Sequence, residues 1–333
     1  MRPRAAVVMD ERAGEVVWKE GARRRLGEVT ELAPGVWGEL RTAGAREVLA
    51  RSEVLVTGWG CPVLDEQVLA HAPRLRAVVH TAGSIRPHVT EACWARGLEV
   101  SSAAAANAVP VAEYAVAMIL LANKRVLESA RAYKAARGRE DWLWPDPLMG
   151  NYRRRVGVLS ASLIGRRVID LLRPYDLEVL LYDPFVGAEE AAALGVRKAS
   201  LAEVFAEADV VSVHTPLLEA TRGMVSRELL AALRDDATLI NTARGAVIDQ
   251  DALTDEVCAG RIRAVLDVTD PEALPRDHPL WACENVLLTP HLAGSQGNEL
   301  DRLADLAVAE VRRWAAGEGF AHAVRPERRE FLA

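Results

Sequence analysis

The sequence predicts an α/β protein of two domains, each a parallel β-sheet flanked by helices. Short runs rich in Val, Ile and Leu alternate with Ala-, Leu- and Arg-rich stretches of helical length, the rhythm of strand–helix–strand units. At 333 residues the chain is long enough to bury two cores. Half of it is apolar and 26% charged, the balance of an ordinary globular protein.

In the first part, strands are expected at 5–9, 54–57, 77–80 and 99–101, with short helices at 63–71 and 90–96. A helix over 107–124 follows, with Pro110 near its start, where a missing N–H is tolerated. It is apolar almost all round, which marks it for burial between domains or subunits. The segment 138–155 breaks the rhythm with Trp142, Trp144, Pro145 and Pro147 in a loop. An aromatic loop of this kind suits a subunit contact and equally a fold back over its own domain.

A second series of strands is expected at 156–159, 178–182, 210–214, 238–241, 264–268 and 286–288. Helices fit between them at 165–173, 188–194, 226–232 and 250–259. Six strands with five crossovers make one doubly wound sheet. The amphipathic last helix, 299–317, is expected to return to the first domain and make it discontinuous. The expected domains are therefore 1–102 with 303–333, and 103–302.

A net charge of −6 argues against nucleic acid or an anionic membrane as partner. The four cysteines, Cys61, Cys93, Cys258 and Cys283, show no CxxC pair and no histidine at metal-ligand spacing. They read as reduced packing residues in a cytoplasmic protein, and no metal is expected. Residues 1–10 lack the apolar core of a signal peptide. The longest apolar stretch, around 111–122, is interrupted by Glu113 and falls short of a membrane span.

Two regions carry chemistry. Between the strand at 156–159 and its helix runs Ser160-Ala161-Ser162-Leu163-Ile164-Gly165. A Rossmann dinucleotide site places G-x-G-x-x-G there; two glycines are serines and only Gly165 remains. Context strengthens the reading, because Asp183 ends the next strand in Leu-Tyr-Asp-Pro. An acid there accepts hydrogen bonds from ribose hydroxyls and repels a 2′-phosphate, which favours NAD over NADP. Serine resists positive φ, yet its hydroxyl can meet a phosphate, and the helix N-terminus stays available to the anion.

The second region lies at three later strand ends, where ligands bind in open α/β sheets. These are Asn241-Thr242-Ala243-Arg244-Gly245, then Leu266-Asp267-Val268-Thr269-Asp270-Pro271-Glu272, then Thr289-Pro290-His291-Leu292-Ala293-Gly294. Arg244 suits a carboxylate or carbonyl clamp. His291 suits a proton donor to a carbonyl oxygen, and Glu272 suits its orienting partner. Singly, each reads as readily as a surface cation, a loop acid and a strand-end histidine.

On these residues the chain resembles the D-isomer-specific 2-hydroxyacid dehydrogenase family, over nearly its whole length. The Asn-Thr-Ala-Arg-Gly, Leu-Asp-Val-x-x-Pro-Glu and Pro-His-x-Ala-Gly stretches carry the likeness, with Val111-Ala112-Glu113, His214-Thr215-Pro216-Leu217 and Thr221-Arg222-Gly223 beside them. The resemblance implies two Rossmann-like domains with parallel sheets, a doubly wound NAD-binding domain inserted in a smaller, flavodoxin-like substrate domain. It implies NAD-linked hydride transfer on a small 2-oxo/2-hydroxy acid of D configuration, with Arg244, Glu272 and His291 catalytic. Gly83, Ser162, Leu163, Ile164, Asp183, Thr215, Pro216, Thr221, Thr242, Ala243, Asp267 and Gly294 fall at cofactor positions, Asp267 near the nicotinamide carboxamide. Ala82, Gly83 and Ser84, in the loop after the strand at 77–80, fall at the substrate-carboxylate position, with Arg244 and His291.

The chain departs from the family at Ser160 and Ser162, and at Arg86 and His88, where an Asp-Asn-Ile-Asp type run is common. The latter exchange is expected to add positive charge near the substrate, as for a second anionic group; a solvated Arg86 is the plainer reading. Trp18, Trp37 and Trp59 are pocket candidates in the first domain, where aromatics are more often core. A homodimer through residues 107–155 is expected. The competing function is an NAD(H)-sensing module with little turnover, which the serine-substituted loop favours and the complete Arg/Glu/His set opposes.

Overall fold

The computed structural model describes residues 2–138 and 149–327. By contact the chain divides into two compact units, Met1–Ala108 with Ser295–Ala333, and Val109–Gly294. The dividing points fall six to eight residues from the expected 102 and 303. Helix formation does not stop where the first sheet ends, so the first boundary lies inside a helix that runs on for four turns.

In the first unit the strands are β1 (Arg4–Val8), β2 (Glu31–Leu32), β3 (Val54–Thr57), β4 (Ala77–His80) and β5 (Glu99–Ser102). Helices α1 (Glu11–Val17), α2 (Glu20–Val29), α3 (Ala43–Arg51), α4 (Glu66–Ala70) and α5 (Glu91–Ala95) connect them, and α6 (Ala104–Asn123) spans the boundary. All pairs are parallel, in the order β2-β1-β3-β4-β5 of flavodoxin-like sheets. Side chains alternate along each strand. Ala5, Val7, Val54, Val56 and Val79 face Val17, Leu26, Leu303 and Val311 in one core, while Ala6, Val8, Leu55, Val78 and Val100 face Leu49, Val68 and Cys93 in another.

The second unit holds α7 (Val126–Ala136), β6 (Arg155–Leu159), α8 (Leu163–Leu172), β7 (Glu178–Tyr182), α9 (Ala188–Leu194), β8 (Arg197–Lys198), α10 (Leu201–Glu207), β9 (Val210–Val213), α11 (Arg227–Ala232), β10 (Thr238–Asn241), α12 (Gln250–Cys258), β11 (Arg263–Leu266) and β12 (Val286–Leu288). Its parallel sheet runs β12-β11-β10-β9-β6-β7-β8, so it has seven strands where six were expected. The order reverses between β6 and β9, the switch point at which doubly wound sheets open a ligand crevice. Helix α13 (Leu300–Ala315) belongs to the first unit, where Leu303, Ala307 and Val311 join the β1–β3–β4 core.

Two sequence expectations change. Helix α6 has 20 residues and, by length and composition alone, would cross a membrane. Its Ala112, Ala115, Val116 and Ile119 pack instead against Val156, Val158, Val168 and Ile169, as a core helix does. Cys258 and Cys283 form a disulfide, with Cα atoms 5.7 Å apart. That corrects the reading of four reduced cysteines: folding brings the end of α12 beside the turn before β12, a proximity their spacing does not reveal. Cys61 and Cys93 are free and buried, and burial, with Cys93 nearby, pushes the Cys61 thiol up to about 12. Trp142, Trp144, Pro145 and Pro147 lie outside the described residues.

Candidate active site

At the switch point the serine-substituted loop joins β6 to α8. Ser160 takes φ +77°, the left-handed conformation that a glycine adopts freely. Its Oγ lies 2.9 Å from Thr215 Oγ1. Ser162 is the N-cap of α8: its Oγ accepts from Gly165 N at 3.2 Å and donates to His214 O at 2.9 Å. The two hydroxyls thus tie the turn after β6 to the turn after β9. Gly165 has no substitute, since a Cβ there would sit 2.0 Å from Ser160 O. The helix N-terminus at Leu163 and Ile164 keeps its first N–H groups for an anion.

Asp183 ends β7 and is 9% exposed. Its carboxylate accepts from Ala161 N and Phe185 N, each at 2.8 Å, and each oxygen has a further lone pair for a ribose hydroxyl. His214 is buried; Nε2 meets Ser212 Oγ at 3.0 Å, and burial pushes its pKa down to about 3. Thr221 Oγ1 donates to Pro216 O at 2.6 Å and accepts from Leu218 N at 2.8 Å, which closes its own turn.

The turn after β10 is folded by buried Asn241. Its Oδ1 accepts from Ala243 N and its Nδ2 donates to Arg244 O, both at 3.0 Å. Arg244 is half-buried, with Nη1 donating to Ala243 O at 2.7 Å. Thr242 Oγ1 is buried without a protein partner, an orphaned polar atom that suits a bound ligand. At Gly245 a Cβ would lie 2.1 Å from the Thr269 carbonyl. Only glycine lets this turn press against the loop that carries Glu272.

Asp267, after β11, is 2% exposed. It accepts from Thr289 Oγ1 at 2.6 Å and from Leu292 N and Ala293 N, each at 2.9 Å. It therefore clamps both sides of His291, whose own N–H donates to Asp267 O at 3.0 Å. His291 is held at φ +53° and its Nδ1 is hydrogen-bonded to Glu272 Oε1. Both side chains of that pair are half-exposed, which leaves Nε2 accessible. Gly294 follows the clamped loop.

Two residues of this network escaped the sequence reading. Tyr114 OH lies 3.0 Å from Thr289 Oγ1, and burial, with negative Asp267 nearby, raises its phenol above the usual range against that bond's opposing pull. The signal was present, because Tyr114 adjoins the Val111-Ala112-Glu113 segment and Thr289 opens the histidine stretch.

In the first unit the loop Thr81–Ser84 follows β4. Ser102 Oγ meets both Ala82 O, at 3.2 Å, and Gly83 O, at 2.7 Å. In a planar trans peptide the N–H opposes the carbonyl. The N–H groups of Gly83 and Ser84 therefore both point away from Ser102. The expected charge here is corrected: Arg86 is exposed, but His88 is 5% exposed, packed against His80 and pushed below its usual pKa by burial. Trp18 is core, Trp37 packs at the edge of a core cluster, and Trp59 is exposed.

A parallel seven-stranded sheet with a helix-capping loop at its switch point and an acid ending the next strand defines a Rossmann-type dinucleotide-binding protein. Residues 116–293 match the family model for the D-isomer specific 2-hydroxyacid dehydrogenase, NAD binding domain. The chain is 33% identical over 256 residues to D-3-phosphoglycerate dehydrogenase of Mycobacterium leprae, covering 77% of this chain and 48% of that protein. It is 32% identical over 259 residues to glyoxylate reductase of Korarchaeum cryptofilum, covering 77% of each. The TT0316 protein of Thermus thermophilus superposes with a TM-score of 0.74 at 28% identity, over 97% of this chain and all of that one. The chain belongs to the D-isomer-specific 2-hydroxyacid dehydrogenase family, with NAD as its cofactor. It spans about half the length of the phosphoglycerate dehydrogenases it matches.

Proposed function

We propose that this protein interconverts a small 2-oxo acid and its D-2-hydroxy acid, with the first unit as substrate domain and the second as NAD-binding domain. The observation that carries the reading is His291, paired with Glu272 and clamped by Asp267 in a half-exposed loop. A carboxylate on Nδ1 fixes the tautomer and the orientation of the ring, so that Nε2 is the atom that transfers the proton. In reduction His291 gives its proton to the carbonyl oxygen, and in oxidation it takes the proton back. Arg244 grips the carbonyl and carboxylate, and the N–H groups of Gly83 and Ser84 receive the carboxylate.

Bound NADH supplies the hydride that reaches the carbonyl carbon. The residues present fit it. Ser162, Leu163 and Ile164 offer the helix N-terminus to the pyrophosphate, Asp183 accepts from the adenosine ribose, and Thr215, Pro216 and Thr221 shape the facing wall. Thr242, Ala243, Asp267, Gly294 and, from the first unit, Gly83 are assigned to the nicotinamide half.

Following NADH absorbance with a panel of 2-oxo acids tests this reading. Oxidation of NADH with at least one of them is the expected result. Bound NADH without turnover across the panel would favour the sensing module instead.

We also assign a homodimer through residues 107–155. Helix α7 buries none of its side chains in its own unit, and Val126 and Leu127 line an apolar groove of about 310 Å³ with Val286 and Leu287. Sedimentation should show twice the chain mass, and Val126→Asp should halve it. The cytoplasm is the proposed compartment, with a small 2-oxo or 2-hydroxy acid rather than nucleic acid or membrane as partner.

A further inference from the structure

Beneath the Thr81–Ser84 loop lies a pair of imidazoles that the proposed reaction does not use. His80, the last residue of β4, is 1% exposed. Its ring centroid is 4.6 Å from that of His88, and the two Nε2 atoms are 3.4 Å apart. On its other side His80 Nδ1 lies 2.9 Å from Thr57 Oγ1 on β3, and His88 stands in the turn that follows Ser84, where its N–H donates to Ile85 O at 3.1 Å.

Two facing nitrogens have room for one proton between them. With both rings neutral, one Nε2 donates and the other accepts; a second proton would set two N–H groups head to head. Burial, reinforced by His88, pushes His80 down to about 3, and burial lowers His88 as well. At neutral pH the pair is therefore a directional hydrogen-bonding unit and carries no charge.

Two side chains hold the loop above it: Thr81 Oγ1 donates to Thr57 O at 2.7 Å, and Ser102 meets the Ala82 and Gly83 carbonyls. The imidazole pair adds a third tie, because His80 immediately precedes the loop and His88 stands in the turn that follows Ser84, so their contact joins the loop's two ends. A ring that serves only to fill a core needs none of these polar partners, and an apolar side chain would serve better there.

We propose that His80 and His88 are positioning residues for the carboxylate loop: the pair ties the strand end before the loop to the turn after it and so sets KM for the 2-oxo acid without touching it. The inference rests on the reading of that loop as the carboxylate seat. Orientation costs of this kind fall on substrate binding, because the groups that carry proton and hydride are elsewhere.

Kinetics of His88→Leu and His88→Gln, on the panel's best 2-oxo acid, test it. His88→Leu should raise KM by about tenfold, with kcat within about threefold of the parent and the NADH Kd unchanged. His88→Gln, which keeps a polar atom near the position of Nε2, should restore most of KM. Thr57→Val, which removes the hydroxyl beside His80 Nδ1 at constant volume, should raise KM in the same direction and stands in if His88→Leu does not fold. A parental KM in His88→Leu and Thr57→Val, or a glutamine variant no better than leucine, overturns the proposal. Ser84→Pro, which deletes one N–H of the carboxylate loop, separates the two levels. If it raises KM while the histidine variants do not, only the pair is wrong; if it leaves KM unchanged, the carboxylate seat itself is wrong. A protein that turns over no 2-oxo acid overturns both.

Discussion

Replacing Asp267 by Asn removes one charge from a buried site whose three donors are all directed at it. Thr289 Oγ1 and Leu292 N converge on Oδ1, and Ala293 N on Oδ2. An asparagine oxygen can keep the first two as neutral hydrogen bonds, each weaker than its charge-assisted original. Its amide then faces Ala293 N–H, donor against donor, and leaves that group unpaired in a residue 3% exposed. An unpaired buried donor costs about 1–3 kcal/mol, and weakening two charged bonds brings the total to roughly 3 kcal/mol. In a folding unit of this size that lowers Tm by roughly 6–12 °C. The loop it clamps carries His291, and a misplacement of the order of 1 Å at a reacting group costs on the order of a hundredfold in kcat. Calorimetric melting together with steady-state kinetics reads both effects. A variant with parental Tm and parental kcat would refute the clamp.

Ser162→Ala removes the α8 cap and should cost about 1 kcal/mol, while Ser162→Gly should cost only a few tenths. The glycine variant also frees Gly165 N–H for phosphate, so NADH should bind more tightly; an unchanged Kd by fluorescence titration would show that the serine is accommodated. Acid should destabilise the fold early. His80 and His214 are neutral when folded, with pKa values pushed from 6.5 to about 3, but take up protons in the unfolded chain below 6.5. Stability is thus undiminished above pH 6.5 and falls as pH drops toward 3, by up to about 1.4 kcal/mol per unit for each group. Urea midpoints at pH 7 and 5.5 measure the slope, and His214→Leu should flatten it; a pH-independent midpoint would contradict the burial. Thiol titration in denaturant should find two reactive cysteines, Cys61 and Cys93, and four after reduction. Four without reductant would dismiss the Cys258–Cys283 bond.

The central strands were legible because they are buried on both faces and read as unbroken β-branched runs. The ranges 54–57, 77–80 and 238–241 coincide with β3, β4 and β10, and 178–182 and 286–288 with the less buried β7 and β12. Two edge strands were not: Glu31–Leu32 and Arg197–Lys198 are two residues each, carry charged side chains, and pair on one side only. Helices α1 and α2 bury two residues apiece, too few for an apolar stripe to show through their Glu and Arg. Helix α10 was missed despite a capping box of Ser200 and Glu203, a signal that was there to be read. At the site, residue types and strand-end placement pointed to Arg244, Glu272 and His291. The Asp267 clamp and the Ser102 hold on the Thr81–Ser84 loop are distances across the fold, which spacing does not encode. Arg86-Pro87-His88 reads as an exposed polar run, and only the tilted packing against His80 shows why its histidine is buried.

The most direct test of the account is His291→Ala, measured for both single-turnover hydride transfer and NADH affinity. Loss of the proton donor should slow reduction of the 2-oxo acid by about a hundredfold to ten-thousandfold, because general acid catalysis contributes that much. The NADH Kd should stay at the parental value, since His291 acts on the substrate. Hydride transfer at the parental rate in this variant would contradict the assignment of His291 as the acid–base residue.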